Sequence, residues 1–469
     1  MVWEVLLLVL VRGAENCSNI CTNVNNICQI VNQTKFCDSS LIISTGFRII
    51  VTNSTVYCVH VDNIGEPNCT ISLSSESITI SSSVLMASLI SLTGKEVEIS
   101  ADSVLNANGT GYHLGPGNAG DTNSPSYGGR GGGTCGELTK YLTYGDQYDP
   151  RTFYGSGGHT KYSNGGGQVL INAGNFTFRG IITACGNLPL NNTNLGTPAA
   201  YGPTTAGGTG GTVYINVTGV ADMEKGLILA NGGNGGDDGY GGGGGRIAIY
   251  GAAMDKVKAR ASGGAGRKGR CPVGGAGTIY LGKEEVLIVD NNIQPGRNPT
   301  PVTTRPTLSL RIENSALVTP AFSHQSMNLK SLTISNSRLE VSQVAGSGDS
   351  FDSTLILLVS DIVTLTNQGT IGSTEGGSIS ITTKKLLSDS SSGIYFGASL
   401  NITADSVNMK GDLEGNSIVT GKSQIIIDVK GNFSLLADGS LKARKVAVSA
   451  NWLVIEVGLL GLNGRCVDL

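Results

Sequence analysis

Paired carboxylates beside glycine-rich loops are the residues of this sequence whose types and spacing come closest to catalysis. Asp237 and Asp238 are adjacent, and polysaccharide-cleaving β-helices use two carboxylates, one as acid and one as nucleophile or base. In the pectin-hydrolysing kind, an Asp pair precedes Gly-His-Gly and then Arg-x-Lys. Here His159 precedes the aspartates, and Ala248 stands where the lysine after Arg246 would be needed. The order fails residue by residue, so the sequence predicts that the chain is not an enzyme.

The glycine tract at residues 232–245 has ten glycines in fourteen positions and suggests two kinds of binding loop. A loose GxGxxG spans residues 239–244, but a phosphate or dinucleotide loop needs a helix after it, and the strand-like sequence RIAIY follows. Residues 232–237 begin like the calcium-binding nonapeptide of β-rolls. Its eighth position must be apolar, however, and here it is Gly239, with no tandem copy. We therefore predict neither a cofactor nor a resident metal.

Ten cysteines, an even number, indicate disulfide bonds and an oxidising compartment. Cys17 and Cys21 have the spacing of half a zinc site, but no histidine or further close cysteine pair completes it. Cys466 stands apart, and its partner lies either within the chain or on a neighbouring subunit. The predicted disulfide residues are Cys17, Cys21, Cys28, Cys37, Cys58, Cys69, Cys135, Cys185, Cys271 and Cys466.

Ten N-x-S/T sequons also indicate secretion, because this motif accepts N-glycans on secreted proteins. Residues 1–14 resemble a signal peptide, with an apolar run at 5–11 before Gly13 and Ala14, although Glu4 replaces the usual basic residue. A buried first strand or a truncated reading frame are the alternatives. The sequence thus predicts a secreted protein, extracellular or at the cell surface. The predicted glycan acceptors are Asn16, Asn32, Asn53, Asn68, Asn108, Asn175, Asn191, Asn216, Asn401 and Asn432.

Charge and hydropathy restrict the partners. The formal net charge is −3, so there is no basic surplus to hold nucleic acid. The apolar stretch 446–464 contains Glu456 and is flanked by Asn451 and Asn463, whereas a bilayer helix needs about 20 mostly apolar residues. We interpret it as buried strands and predict no membrane span. The expected partners are copies of the chain or other extracellular structural proteins, N-linked glycans and, as a further candidate, polysaccharide.

The elements that must position these residues are short strands. Glycine, Ser, Thr and Asn disfavour helix interiors, and the chain has 69 glycines. Glycine-rich segments, each followed by a short alternating strand, recur at Val169, Val213, Ile247 and Ile279, which lie 44, 34 and 32 residues apart, and second strands end close to A-x-G-G. Such repeats predict an all-β parallel β-solenoid with a disulfide-rich N-terminal cap. Tandem β-sandwiches are the alternative, which requires longer strands.

In a solenoid, the glycine tract is expected to form the corner of one coil, where glycine permits positive φ and close backbone stacking. The strand that follows then re-enters the wall, with Ile247 and Ile249 pointing inward. They are expected to lie level with Val213, Tyr214 and Ile215 of the preceding coil and with Ile279 of the next.

One phrase recurs almost intact, as ISADSV at residues 99–104 and ITADSV at 402–407. This recurrence indicates that both halves of the chain are built from one kind of unit. The predicted organisation is a signal peptide at 1–14, a Cys-rich cap at 15–70, a glycine-rich β-solenoid at 71–294, a Pro-containing connector at 295–320 and a second β-solenoid segment at 321–469.

A series of phrases within residues 92–292 resembles a known family. In order, they are GGRGGGTCGE, YGDQYDP, YGSGG, NGGGQVLINA, ILANGGNGG, GGGGGRIAIY, ASGGAGRKGRCPVGGAGTIYLG and LIVDNN. The family comprises large secreted glycine-rich β-solenoid-like proteins of plants, oomycetes and other protists. The resemblance implies a secreted or surface-exposed β-rich ectodomain, and it brings no catalytic residues with it.

These features predict an extracellular structural or surface protein, a glycosylated β-solenoid that builds a wall, coat, filament or mastigoneme-like flagellar hair. An adhesin or carbohydrate-binding surface module is the alternative, and a polysaccharide-active β-helix enzyme is the third hypothesis. Exposed aromatic rows would favour the adhesin. Seven tyrosines either form such a row or cover glycine-rich turns: Tyr112, Tyr127, Tyr141, Tyr144, Tyr148, Tyr154 and Tyr162.

Overall fold

The computed structural model divides the chain into two compact units, Met1–Glu284 and Glu285–Leu469. Each unit is described by itself below. The residues that the structure describes are 17, 20–37, 39–58, 67, 69–117, 125–132, 143–158, 163–186, 206–236, 239–252, 257–266, 273–292, 298–321, 326–341, 354–373, 377–415, 423–436, 439–455 and 467–468.

The first unit is built from coils that place one strand in a long sheet and another in a shorter sheet. The strands of the long sheet are β1 (Thr22–Val24), β2 (Ile27–Val31), β4 (Leu41–Ser44), β5 (Arg48–Thr52), β7 (Thr70–Ser81), β9 (Leu89–Ile99), β11 (Gln168–Phe178), β13 (Thr212–Val217), β14 (Ala221–Asp222), β16 (Arg246–Tyr250) and β18 (Thr278–Leu281). The strands of the shorter sheet are β3 (Thr34–Cys37), β6 (Thr55–Cys58), β8 (Val84–Ala87), β10 (Val104–Asn106), β12 (Ile181–Thr183), β15 (Leu227–Leu229) and β17 (Ala259–Arg260). A 3-10 turn spans Pro150–Thr152.

The second unit repeats this plan. The strands of its long sheet are β19 (Val286–Asp290), β21 (Ser309–Glu313), β23 (Ser326–Ser335), β25 (Thr354–Thr366), β27 (Ser378–Ser388), β29 (Ser399–Met409), β31 (Gln424–Leu435), β33 (Lys445–Ile455) and β34 (Val467–Asp468). The strands of its shorter sheet are β20 (Thr300–Val302), β22 (Leu317–Pro320), β24 (Arg338–Val341), β26 (Thr370–Ser373), β28 (Gly393–Phe396), β30 (Asp412–Gly415) and β32 (Ser440–Lys442).

Strands of successive coils pair in parallel, which is the defining feature of a β-solenoid. The described exception is the hairpin that pairs β1 antiparallel with β2. The predicted parallel β-solenoid is therefore confirmed. The alternative of tandem β-sandwiches is wrong, because their sheets are antiparallel.

Columns of inward-facing aliphatic side chains fill the core. Val169, Val213, Ile247 and Ile279 pair in register from β11 to β18 and are buried. The inward direction predicted for Ile247 is thus confirmed. The next inward column is Ile171, Ile215, Ile249 and Leu281. The second unit has a corresponding buried column of Leu310, Leu332, Val363, Leu386, Val407 and Phe433, whereas the next residue in this register, Leu453, is exposed.

Alanines at the ends of the short strands tie each coil to the next. The carbonyl of Ala230 accepts a hydrogen bond from Gly245 N at 2.8 Å, directly before β16 begins. The same bond recurs in other coils, from Gly167 to Ala107, from Gly211 to Ala184 and from Gly277 to Ala261, each at 2.6 Å. The acceptor in each bond is the alanine that opens an A-x-G phrase, and the donor is the glycine directly before a strand of the long sheet. These bonds leave no room for a side chain beside them: a Cβ on Gly244 would overlap the Ala261 carbonyl oxygen and the Gly277 amide nitrogen.

The glycine-rich segments form a hydrogen-bonded array that we call the glycine lattice. Its segments are residues 128–132, 155–158, 163–167, 206–211, 230–236, 239–245, 261–265 and 273–277. The four amides of residues 242–245 donate in turn to the carbonyls of Gly233, Pro125, Gly275 and Ala230. Gly242 and Gly245, three residues apart, therefore bond to the same neighbouring segment, 230–236. The two amides between them bond to two other segments. This period matches polyproline II, which has three residues per turn and no internal hydrogen bonds.

The predicted role of the tract as a corner with positive φ is wrong. Among the described glycines of this tract, Gly232, Gly235 and Gly241 to Gly245 have no positive φ. The Gly239 amide donates to the Gly236 carbonyl at 3.0 Å, and residues 230–236 and 239–245 both pack in the glycine lattice. Glycine is needed because a Cβ on Gly232 or Gly242 would overlap backbone atoms of neighbouring segments. Close backbone stacking, the other half of the prediction, is observed.

Asparagines make many of the corners. Among the described residues, twelve non-glycine positions have positive φ, and eight of them are Asn, the residue type that tolerates this region best after glycine. Asn32 and Asn53 follow paired residues of β2 and β5, so they occupy one corner in adjacent coils. Asn314, Asn336 and Asn367 repeat the arrangement after β21, β23 and β25.

The cysteine-rich residues predicted as a cap form the first coils themselves, since β2 pairs in parallel with β5 and β5 with β7. The stretch 295–320, predicted as a connector, contains β20, β21 and β22 of the second unit. The apolar stretch 446–464 was predicted to form buried strands; it lies in β33 as far as residue 455, but residues 451–455 are exposed, so the prediction of burial is wrong there. Residues 456–464 lie outside the described residues. Among the described helical segments, none has the length and apolar character of a membrane span.

Candidate functional site

The residues closest to catalytic patterns are either undescribed or engaged in local structure. Asp237, Asp238 and His159 lie outside the described residues. His113 Nδ1 lies 3.3 Å from Asn164 Oδ1. Glu285 accepts a hydrogen bond from Arg305 at 3.3 Å. Within the described ranges, no three His, Cys, Asp or Glu side chains lie together in a way that could hold a metal ion.

A covering segment, residues 143–156, packs on the outer face of the first unit. The outward positions at the start of β11, β13, β16 and β18 form one register column beneath it: Gln168, Thr212, Arg246 and Thr278. All four are buried although they face away from the core. A polar column can be buried only if its donors and acceptors find partners, and the covering segment supplies them.

Arg246 joins the covering segment to the wall. Its Nε and Nη2 donate to the Tyr144 carbonyl at 3.0 and 2.8 Å, and its Nη1 donates to Thr278 Oγ1 at 3.2 Å. The guanidinium lies 5.5 Å from the ring centroid of Tyr127, a cation–π distance. Burial lowers the pKa of Arg246, but an arginine pKa starts so high that the side chain stays charged.

Tyrosines fill the layer between the wall and the covering segment. The Tyr127 hydroxyl lies 2.5 Å from Thr212 Oγ1, and the Tyr148 ring meets the Tyr280 ring edge-on at 4.9 Å between centroids. The Arg151 guanidinium lies 4.7 Å from the ring centroid of Tyr214. Tyr127, Tyr214 and Tyr280 are buried, so these rings pack within the fold and do not form an exposed row. The predicted cluster members Tyr141 and Tyr162 lie outside the described residues.

The buried tyrosines predict a loss of stability at alkaline pH. Burial raises the pKa of Tyr127 to about 12 and raises the pKa of Tyr144 well above its ordinary value. Above pH 10 the unfolded chain loses these protons and the folded chain keeps them. The free energy of unfolding should therefore fall as pH rises from 10 toward 12, by about 1.4 kcal/mol for each unit of pKa difference.

Denaturant unfolding at a series of pH values, together with tyrosinate absorbance, tests this expectation. Tyr127→Phe removes one late-titrating group and should make the decline shallower. If every tyrosine ionised near pH 10 while the protein stayed folded, the buried layer described here would be contradicted.

The predicted glycan acceptors differ in how accessible they are. Asn32 and Asn53 are exposed at left-handed corner positions of adjacent coils, and Asn401 and Asn432 are exposed on β29 and β31. Asn216 is half-buried on β13. An oligosaccharide can be attached without displacing protein where the amide faces solvent, so the exposed four are the best-placed acceptors. Asn16, Asn68 and Asn191 lie outside the described residues.

Two other sequon asparagines are used by the fold. Asn175 Nδ2 donates to Glu96 at 2.7 Å, and its Oδ1 accepts from the Val220 amide at 2.8 Å. Asn108 Oδ1 accepts from Thr183 Oγ1 at 2.6 Å and from the Cys185 amide at 2.7 Å. These bonds hold the side-chain amides in place, which disfavours their use as acceptors.

Among the described cysteines, six form disulfides at the N-terminal coils. The pairs are Cys17–Cys37, Cys21–Cys28 and Cys58–Cys69. Cys185, for which a disulfide was predicted, is a free thiol in this structure. Its Sγ accepts hydrogen bonds from the Asn231 amide and Thr183 Oγ1, and burial raises the pKa of the thiol. Cys135, Cys271 and Cys466 lie outside the described residues.

Sequence reasoning missed Arg246 as the anchor of the covering segment. A signal was present in the sequence, because Arg246 is the first residue of the apolar strand RIAIY. Such a strand is buried on both faces, so an arginine in it needs hydrogen-bond partners from the protein. What the sequence does not contain is the partner, because the Tyr144 carbonyl lies 102 residues earlier. No protein-family model, no curated protein and no solved structure matches the chain.

Proposed function

We propose that the chain is an extracellular structural or surface protein that assembles into a wall, coat, filament or flagellar hair. The observation that carries the proposal is the parallel β-solenoid of the first unit, whose interior is tied coil to coil by side-chain columns and the glycine lattice. Such an interior favours stiffness over the movable loops that many enzymes use. The proposal assigns the chain no catalytic activity.

Secretion is supported by the cysteines and the sequons. Three disulfides staple the N-terminal coils, and disulfides persist mainly in oxidising compartments. Four sequon asparagines are exposed. Together with the signal-like residues 1–14 and the resemblance to secreted glycine-rich proteins, these features favour an extracellular glycoprotein.

An adhesin or carbohydrate-binding module is the second candidate. Of the tyrosines that favoured it, Tyr127 is buried, and Tyr112, Tyr144, Tyr148 and Tyr154 are half-buried. A sugar-binding row needs exposed ring faces, so this cluster supports a structural role for the tyrosines. A polysaccharide-active enzyme remains the third candidate, and the residue order around Asp237 disfavours it.

Electron microscopy of the purified, secreted chain tests the proposal. We expect regular filaments, sheets or arrays under native conditions. Strictly monomeric particles that bind glycans in an array assay would contradict the structural role and favour the adhesin.

The variant Cys466→Ser separates two modes of assembly. If Cys466 links neighbouring subunits, the variant should lose disulfide-bonded multimers on a non-reducing gel, whereas wild-type protein and Cys185→Ser keep them. If Cys466 pairs within its own chain, all three proteins should migrate as monomers.

A further inference from the structure

We propose that N-glycans at Asn432 and Asn401 pack against apolar side chains of the following coil, with Trp452 as the platform for the glycan at Asn432. The inference rests on the proposed extracellular function, because the glycan is added in the secretory pathway. In that step the Asn432 amide nitrogen loses a proton and bonds to C1 of N-acetylglucosamine, and the diphosphate of a lipid-linked oligosaccharide donor leaves.

The register of the second unit places Asn432 directly beside Trp452. Asn432 of β31 pairs in parallel with Trp452 of β33. Paired residues of adjacent strands lie about 4.8 Å apart and face the same side of the sheet. Phe433 and Leu435 of β31 face the core, so Asn432 and Trp452 face outward.

Trp452 is the largest side chain in an exposed run, residues 451–455, at the end of β33. Its relative exposure is 72%, and an indole offers a large apolar face for contact. N-acetylglucosamine presents an apolar face of ring C–H groups, which suits the face of an indole. A sugar attached one strand away therefore matches Trp452 in both chemistry and distance.

A second pair shows the same relation independently. Asn401 of β29 pairs with Ile426 of β31, and both side chains are exposed, Ile426 to 41%. Thr403, the third residue of this sequon, is exposed as well. In both pairs, the exposed apolar residue belongs to the coil that follows the acceptor.

The exposed sequons of the first unit lack this feature. Asn32 and Asn53 occupy one corner in adjacent coils, and the next residue at that corner is Ser82. A glycan at Asn53 therefore meets polar neighbours. Asn32 and Asn53 report whether the chain is glycosylated at all, independently of any apolar platform.

Fluorescence quenching of Trp452 tests the inference. The sequence has two tryptophans, so the full chain is secreted from eukaryotic cells in a Trp3→Phe background, which leaves Trp452 as the reporter. Glycopeptide mass spectrometry measures occupancy at Asn32, Asn53 and Asn432. Acrylamide quenching is compared among the background protein, Asn432→Gln, Ser434→Ala and the matched control Asn401→Gln.

We expect Asn432 to be occupied, and Asn432→Gln and Ser434→Ala to raise the quenching constant about twofold, because a packed sugar shields one of the two indole faces. Asn401→Gln should leave it unchanged. Occupied Asn432 with equal quenching in all four proteins would overturn the inference, as would an empty Asn432 beside occupied Asn32 and Asn53. Absence of glycan at all of these sites in secreted protein would instead overturn the proposed glycoprotein.

Discussion

Replacing Gly244 with alanine should leave the first unit largely unfolded, with a loss of at least about 4 kcal/mol in the free energy of unfolding. The new Cβ would overlap the Ala261 carbonyl oxygen and the Gly277 amide nitrogen. These two atoms hydrogen-bond to each other at 2.6 Å, so neither can move without breaking that bond. No side chain is present that could rotate away. Since whole domains are stable by about 5–15 kcal/mol, one methyl group removes much of the total.

Secreted yield, far-ultraviolet circular dichroism and denaturant unfolding measure this effect. Gly46→Ala is the matched control, because Gly46 is exposed and a Cβ there would have nothing within 4 Å. We expect the control to change stability by less than about 0.5 kcal/mol. Equal stability of the two variants would mean that the glycine lattice has room for side chains, contrary to the packing described above.

Removing the Arg246 side chain should give the second-largest effect. In Arg246→Ala, the Tyr144 carbonyl loses both of its arginine donors and Thr278 Oγ1 loses another. A cavity also opens beneath the covering segment. The lost contacts of a buried charged group and the cavity left by its side chain together lower the free energy of unfolding by about 3–5 kcal/mol. We expect a lower denaturation midpoint and faster proteolysis within residues 143–156.

Two further variants separate charge, volume and hydrogen bonding. Arg246→Met keeps most of the volume, so we expect a loss smaller than that of Arg246→Ala, from the unmade hydrogen bonds alone. Arg179→Ala removes an exposed arginine whose ion pair with Asp222 is solvated, and the expected change is under about 1 kcal/mol. If Arg246→Ala behaved like Arg179→Ala, Arg246 would not anchor the covering segment.

The strand columns could be predicted from the sequence because they depend on local alternation and a nearly constant coil length. Val169, Val213, Ile247 and Ile279 follow glycine-rich segments, and each is the first apolar residue of its strand. Stacking in parallel then leaves one register that buries them all. The same reasoning gave the period-two strands of the second unit.

The role of the glycines could not be predicted in the same way. A glycine fits both a positive φ and a close backbone approach, and the sequence does not distinguish them. Which of the two applies depends on the segments that pack against the glycine. Gly244 contacts Ala261 and Gly277, which follow it by 17 and 33 residues. The described left-handed corners outside the glycine-rich coils are largely made by asparagine, such as Asn336.

The recurring phrase shows how context overrides local sequence. Ile99 ends β9 and Val104 begins β10, so residues 100–103 turn between two sheets. Residues 402–407, nearly identical in sequence, lie inside β29, where the register to β31 shifts after Ala404. Both halves are parallel solenoids, as the phrase suggested. The phrase itself occupies different places in them.

The three-way bonding of the glycine lattice has a mechanical consequence. In an ordinary sheet, the hydrogen bonds resist force only along the direction that joins neighbouring strands. Layers above and below the sheet are held to it by side-chain packing alone. In residues 242–245, successive amides bond to three different neighbouring segments. Shear in any direction across these glycine-rich coils must therefore break backbone bonds, so this part of the first unit should respond to load as a solid block and not as a stack of sliding plates.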